Sequence, residues 1–169
     1  MEIEWGEQER IRLKKKIDQF SAEQLESLQN YITMIENKTS DHMAPEGSFV
    51  NAFMMMQTER TGERSMRATI PIRWEMYNGR GTMHGGMTAM FIDTAMGYTL
   101  DACYPGALAG QATVDLTIHY LKGAKGSRLI ADSELIQAGR TIAVLDCSVR
   151  DDQGDLVSKA TGTFKVWLK

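Results

Sequence analysis

Between Gly81 and Leu100 the chain reads GTMHGGMTAMFIDTAMGYTL, twenty residues with one carboxylate, Asp93, and no Lys or Arg. No other stretch limits the fold so tightly. Its apolar residues fall on every side of a helical wheel, the mark of a helix enclosed by the rest of the fold rather than lying on its surface. Twenty such residues also have the length of a membrane span. Four glycines, several threonines and a mid-helix Asp oppose that reading, and no second candidate span exists. A core helix is therefore expected. The opening MEIEWGEQER is acidic and lacks an apolar run, so no signal or transit peptide is expected there. Two cysteines, Cys103 and Cys147, are too few for a disulfide framework or a four-thiolate zinc site. Reduced thiols in a cytoplasmic protein follow as the expectation.

The rest of the chain must cover that helix. Val114, Leu116, Ile118 and Tyr120 alternate with Thr113, Asp115, Thr117 and His119, a period of two that predicts a strand with its apolar residues facing inward. Three more strands are expected over Arg128–Gln137, Thr141–Arg150 and Leu156–Trp167, on the short turns Ala138-Gly139-Arg140 and Asp151 to Gly154. Ahead of the helix, Met56–Thr61 and Ser65–Arg73 form a hairpin pattern around Gly62-Glu63. A short helix over Ser48–Met56 precedes it, its run Met54-Met55-Met56 expected to pack inward. Short turns make consecutive strands antiparallel. The order is an α+β fold, one antiparallel sheet wrapped around one helix.

Residues 1–45 stand apart as a helical extension and linker, with 46–169 as the main domain. Leu13, Ile17 and Phe20, then Leu25, Leu28, Ile32 and Ile35, form two apolar stripes at helical spacing. Ser21 with Gln24 three residues on is a capping box, which divides them into two helices. Glu36–Gly47 reads as a linker. The run Lys14-Lys15-Lys16 is outnumbered by acidic neighbours, and the net charge is −3. No field to attract nucleic acid or an anionic membrane results.

The segment Asn78-Gly-Arg-Gly-Thr-Met-His84-Gly85-Gly86, followed by Asp93, resembles the N-x-x-G-x-x-H-G-G-x6-D signature of hotdog-fold thioesterases, in particular the phenylacetate-degradation (PaaI-like) branch. The resemblance spans about Ser48 to Trp167, including TVDLTIHYLKGAK and AGRTIAVLDCSVRDDQG, and leaves the first 45 residues aside. It implies a hotdog fold and hydrolysis of an acyl-CoA to coenzyme A and a carboxylic acid. No metal or organic cofactor is implied, since coenzyme A is part of the substrate.

Physical chemistry supplies part of the same picture. Gly85 and Gly86 sit where the helix begins, so their N–H groups are helix-start donors at the positive end of the dipole. Donors of that kind stabilise the oxyanion formed when a thioester carbonyl is attacked. Asp93 lies about 12 Å further along the axis, too far to act on the same carbonyl. Two copies packed antiparallel close the gap, with Asp93 of one facing Gly85 of the other. The spacing argues for a homodimer with shared sites.

By resemblance, Gly85 is the oxyanion donor, and Asn78 and His84 hold the loop and thioester. Asp93 serves as base or nucleophile, a choice the resemblance leaves open, and Thr113 orients the water. Segments matching Tyr120–Lys125 and Gln137–Ile142 contact the nucleotide, which selects Tyr120, Lys122, Lys125, Gly139, Arg140 and Thr141. From composition alone Lys122, Lys125 and Arg140 read as solvated turn charges. The family often pairs dimers into tetramers.

Blander readings stand beside these. His84 by itself reads as a capped structural histidine, and His42 and His119 lack partners at metal-ligand spacing. Cys103 reads as a small buried hydrophobe rather than a nucleophile. The glycines match no phosphate loop or dinucleotide fingerprint, and Ser48, Ser65 and Ser158 lack the nucleophile-elbow context. Two rival functions remain: a hotdog enoyl-CoA hydratase or dehydratase, and a non-catalytic acyl-CoA sensor. Met83, Met87, Met90, Met96 and Met54–Met56 serve either as an adaptable wall for an acyl chain or as core filler.

Overall fold

The computed structural model describes residues 6–39 and 49–169. The chain divides into two compact units, Met1–Phe49 and Val50–Lys169. In the first, α1 (Glu7–Ile17) and α2 (Ala22–Thr39) are separated where the capping box falls. The Ser21 amide donates to Gln24 Oε1 at 2.9 Å, and the Gln24 amide donates to Ser21 Oγ at 3.2 Å. α1 carries Glu7 and Glu9 in its first turn and Lys14, Lys15 and Lys16 in its last. That order of charge complements the helix dipole, which gives the lysine run a local structural use. Helix α2 continues through Thr39, so the first residues of the expected linker are helical. The remainder of that linker, and Ser48, lie outside the described residues.

The second unit begins with α3 (Phe49–Met54), then β1 (Gln57–Arg60) and β2 (Ser65–Pro71) as an antiparallel hairpin. A 3-10 turn at Trp74–Met76 leads to α4 (Gly85–Cys103). Four strands follow: β3 (Leu108–Tyr120), β4 (Arg128–Ala138), β5 (Ile142–Asp151) and β6 (Leu156–Leu168). They join the hairpin in one six-stranded antiparallel sheet of order β1-β2-β4-β5-β6-β3. Helix α4 packs on its inner face, against β2 to β6. This is the expected α+β hotdog fold with N-terminal helices.

Period-two burial builds the inner face. Leu129, Ala131, Ser133 and Leu135 of β4 and Ala143, Leu145, Cys147 and Val149 of β5 are all buried. Three details depart from the sequence pattern. Of the methionine run, only Met54 is fully buried; Met55 is exposed at a positive φ of 52° and Met56 is half-buried. Within β3, Leu116 and Ile118 pack on the core, but Val114 is 62% exposed. The register with β6 slips between Thr113 and Asp115, and this bulge turns the residue between them out of the alternation. Finally, α4 is not enclosed all round within one chain. It buries a single stripe of Thr88, Phe91, Ile92, Ala95, Met96, Thr99 and Leu100, spaced by threes and fours. One sheet can cover only one side of a helix.

Candidate active site

The approach to α4 is a loop stapled by one side chain. Asn78 Oδ1 accepts the amides of Arg80 at 2.8 Å and Thr82 at 3.4 Å, while its Nδ2 donates to Thr82 Oγ1 at 2.9 Å. Main-chain bonds from Asn78 N to Thr82 O and from Gly81 N to Asn78 O close the same loop. Gly81 sits there at φ +72°, a backbone region that side chains with a Cβ resist. Asn78 is therefore a loop-former, its side chain spent on Arg80 and Thr82.

His84 is the N-cap of α4. Its Nδ1 accepts the Gly86 amide at 2.9 Å, and its own amide donates to Met76 O at 2.8 Å. The imidazole thus takes the part of a capping side chain, with Nδ1 as acceptor. Met87 and Thr88 amides both turn back to His84 O. What remains is the Gly85 N–H, which has no acceptor among the described residues. It lies at the positive end of a nineteen-residue helix. A Cβ at Gly85 would lie 3.5 Å from the Tyr120 ring, an ordinary contact, so the fold tolerates more than glycine there.

Asp93 lies off the buried stripe. Phe91, Ile92 and Met96, its apolar neighbours in sequence, point into the core, whereas Asp93 is half-buried on the other side. There Thr113 Oγ1 of β3 donates to Asp93 Oδ1 at 2.7 Å, bringing together two of the residues selected from sequence. One turn pair further along, Gln111 Nε2 donates to Gly97 O at 3.0 Å and Asp101 Oδ1 at 3.1 Å. Burial raises the Asp101 carboxyl above the ordinary range. Neither Gln111 nor Asp101 stands out in the sequence; both need the β3–α4 contact to be seen.

The candidate nucleotide contacts separate into two groups. Tyr120 donates its hydroxyl to Gly85 O at 3.0 Å, and Gly123 lies against Thr82, so the Tyr120–Lys125 segment adjoins the start of α4. Lys122 is paired with Asp155, whose hydrogen bond holds its ammonium above the usual range. Lys125 is exposed. Gly139, Arg140 and Thr141 adjoin the opposite end: Tyr104, the C-cap of α4, donates to Gly139 O at 3.1 Å. A Cβ at Gly139 would meet Ile142 O at 2.2 Å, so the turn itself demands glycine. Within one chain the two groups are therefore a helix length apart.

Other chemistries find little support. Burial pushes the Cys147 thiol up to about 12 and also raises that of Cys103, the reverse of what a thiolate nucleophile needs. Among the described residues no three His, Cys, Asp or Glu side chains gather as a metal site, and no helix is long and apolar enough to cross a membrane.

A long helix packed on one face of a single antiparallel sheet defines the hotdog class. Comparison with known proteins agrees. Residues 80–158 match the thioesterase superfamily model. The Halobacterium salinarum protein VNG_1336C, provisionally named an esterase, is 33% identical over 126 residues, covering 69% of this chain and 83% of its own. The medium/long-chain acyl-CoA thioesterase YigI of Escherichia coli is 27% identical over 99 residues, covering 50% of this chain and 62% of its own. Among solved structures, BH2602 of Bacillus halodurans with CoA aligns at TM-score 0.76 and 26% identity, over 87% of this chain and 95% of that one. A hypothetical thioesterase of Streptococcus pneumoniae with coenzyme A aligns at TM-score 0.62 and 26% identity, over 68% and 87%. The chain belongs to the hotdog-fold thioesterase superfamily.

Proposed function

We propose that this chain is an acyl-CoA thioesterase of the PaaI-like branch, acting in the cytoplasm as a homodimer whose dimers pair further. Water adds to the thioester carbonyl, the tetrahedral oxyanion collapses, and coenzyme A leaves as the thiol with the acyl group released as carboxylate. Asp93 of one subunit takes the proton from water or attacks directly, and Thr113 fixes its carboxylate. The Gly85 amide of the other subunit receives the oxyanion, on a loop shaped by Asn78 and an N-terminus capped by His84. Tyr120, Lys122 and Lys125 from one side, and Gly139, Arg140 and Thr141 from the other, take the nucleotide end. Residues 1–45 are an attachment to this 46–169 body.

The observation that carries the proposal is the open Gly85 N–H, set eight residues from a carboxylate that Thr113 holds at 2.7 Å. Relatives crystallised with coenzyme A support the substrate class. The dimer has its own support. Strand β3 runs thirteen residues at the sheet edge, paired among the described residues only with β6, and exposes Val114 there. Such a long unprotected edge invites another strand. An antiparallel pair of α4 helices also brings the nucleotide group at one helix end to its counterpart at the other. The hydratase alternative loses ground because His84 Nδ1, the acceptor that a proton-abstracting imidazole would use, already takes the Gly86 amide.

The test is thiol release across short, long and aromatic acyl-CoAs, with enoyl-CoA hydration run alongside. Shared sites are read by mixing two inactive variants, Asp93→Asn and Gly85→Pro, the second removing the N–H at a first helical position that accepts proline. Half of the dimers are then mixed and each holds one intact site, so about a quarter of wild-type activity returns. No recovery on mixing would confine each site to one subunit.

A further inference from the structure

We infer that Tyr120 is a positioning residue for the Gly85 amide: its phenol grips the Gly85 carbonyl and fixes the direction in which the Gly85 N–H points. This rests on the thioesterase reading above and assigns it a part beyond nucleotide contact.

Consecutive glycines leave a backbone freer than any other pair of residues, and an oxyanion donor must be aimed before the reaction begins. Something outside the Gly85-Gly86 step has to aim it. On the upstream side the His84 amide is tied to Met76 O at 2.8 Å. Downstream, the Gly86 amide is tied to His84 Nδ1 at 2.9 Å. Among the described residues, Gly85 itself is held by the Tyr120 side chain alone, with the hydroxyl donating to Gly85 O at 3.0 Å. A regular helix already satisfies that carbonyl from the amide four residues on. The tyrosine bond is thus not demanded by the helix.

The clamp is itself anchored. Tyr120 is the last residue of β3, paired with Ser158 of β6, and the next amide, Leu121, donates to Val157 O at 2.9 Å. Its ring runs alongside the Gly85 backbone, with Cε1 and Cζ at 3.5 and 3.6 Å from where a Cβ would stand. Tyr120 is nevertheless 54% exposed, so its ring contributes little to the core. Thirty-five residues of sequence separate the two partners, and the strand end and helix start meet only in the folded chain.

The experiment compares wild type, Tyr120→Phe and Tyr120→Leu in steady-state thiol release on one acyl-CoA, with the glycine amides of each followed by NMR. Tyr120→Phe keeps the ring and removes the grip. Its kcat falls about tenfold, on the scale of one lost hydrogen bond, with KM within about twofold. The Gly85 and Gly86 amide signals shift or broaden. Tyr120→Leu shows the same fall in kcat. A Tyr120→Phe variant with unchanged kcat, or a change confined to KM, would overturn the inference and leave Tyr120 a nucleotide contact. An inactive wild type would overturn the thioesterase reading instead. The glycine signals would then decide the clamp, undisturbed signals in Tyr120→Phe counting against it.

Discussion

The two faces of α4 differ in where their polar groups find partners. On the buried stripe, Thr88 and Thr99 turn their hydroxyls back to His84 O at 3.5 Å and Ala95 O at 2.9 Å, one turn earlier in the chain, and the rest is Phe91, Ile92, Ala95, Met96 and Leu100 against the sheet. On the opposite side, Asp93 and Asp101 take hydrogen bonds from Thr113 and Gln111 of β3. The first face closes its hydrogen bonds locally and lends the helix to packing. On the second, Thr94 also bonds within the helix, to Met90 O at 2.8 Å, but the two carboxylates borrow their partners from a separate strand, which fixes them in space. Stability and chemistry are divided between the sides of a single helix.

Asp93→Asn should give the largest effect. The amide still accepts from Thr113, so folding stability stays within about 0.5 kcal/mol, while thiol release drops by about a thousandfold. Retained turnover in this variant would break the division outright. Phe91→Ala probes the other face. A large cavity against the sheet costs about 3–5 kcal/mol, seen as a fall in the denaturation midpoint. Activity per folded molecule holds within about twofold. Should Phe91→Ala lose turnover before it loses stability, the faces are not separable. Thr113→Val comes next: valine suits a strand, so the loss is one charge-assisted hydrogen bond and about a tenfold fall in kcat.

How far each face could be read from sequence follows the same line. The charge-free run Gly81–Leu100 announces the helix, and Ser21 with Gln24 places the break between α1 and α2. The one-sided burial of α4 is hidden because Ala89, Met90, Gly97 and Tyr98 on the uncovered side are themselves apolar or small. Hydropathy alone then reads as burial all round. Val114 misleads because a bulge shifts the alternation, and a bulge depends on pairing with β6. The methionines of the helix region pack with the core to different depths. Met54, Met83 and Met96 are core, while Met87 and Met90 remain half-buried on α4. Asn78, His84, Gly85 and Asp93 are legible as a motif. The Tyr120 bond to Gly85 and the Gln111 bond to Asp101 are not, since contacts across strand and helix leave no periodic trace.

The smallest effect expected is at His84, where the motif reading and the geometry diverge most. As a cap, the imidazole supplies one acceptor, Nδ1, to the Gly86 amide at 2.9 Å. Asparagine is among the best capping residues and alanine among the poor ones, a gap of about 1 kcal/mol. His84→Asn therefore leaves the melting temperature near that of wild type and kcat within about twofold, and His84→Ala loses about 1 kcal/mol of stability. Both are read by thermal denaturation beside thiol release. With Nδ1 accepting, the proton of a neutral ring sits on Nε2, free to donate. A stable His84→Asn enzyme with kcat down tenfold or more would put that Nε2–H on the reacting thioester. His84 would then join Asp93 on the side of α4 that does chemistry rather than packing.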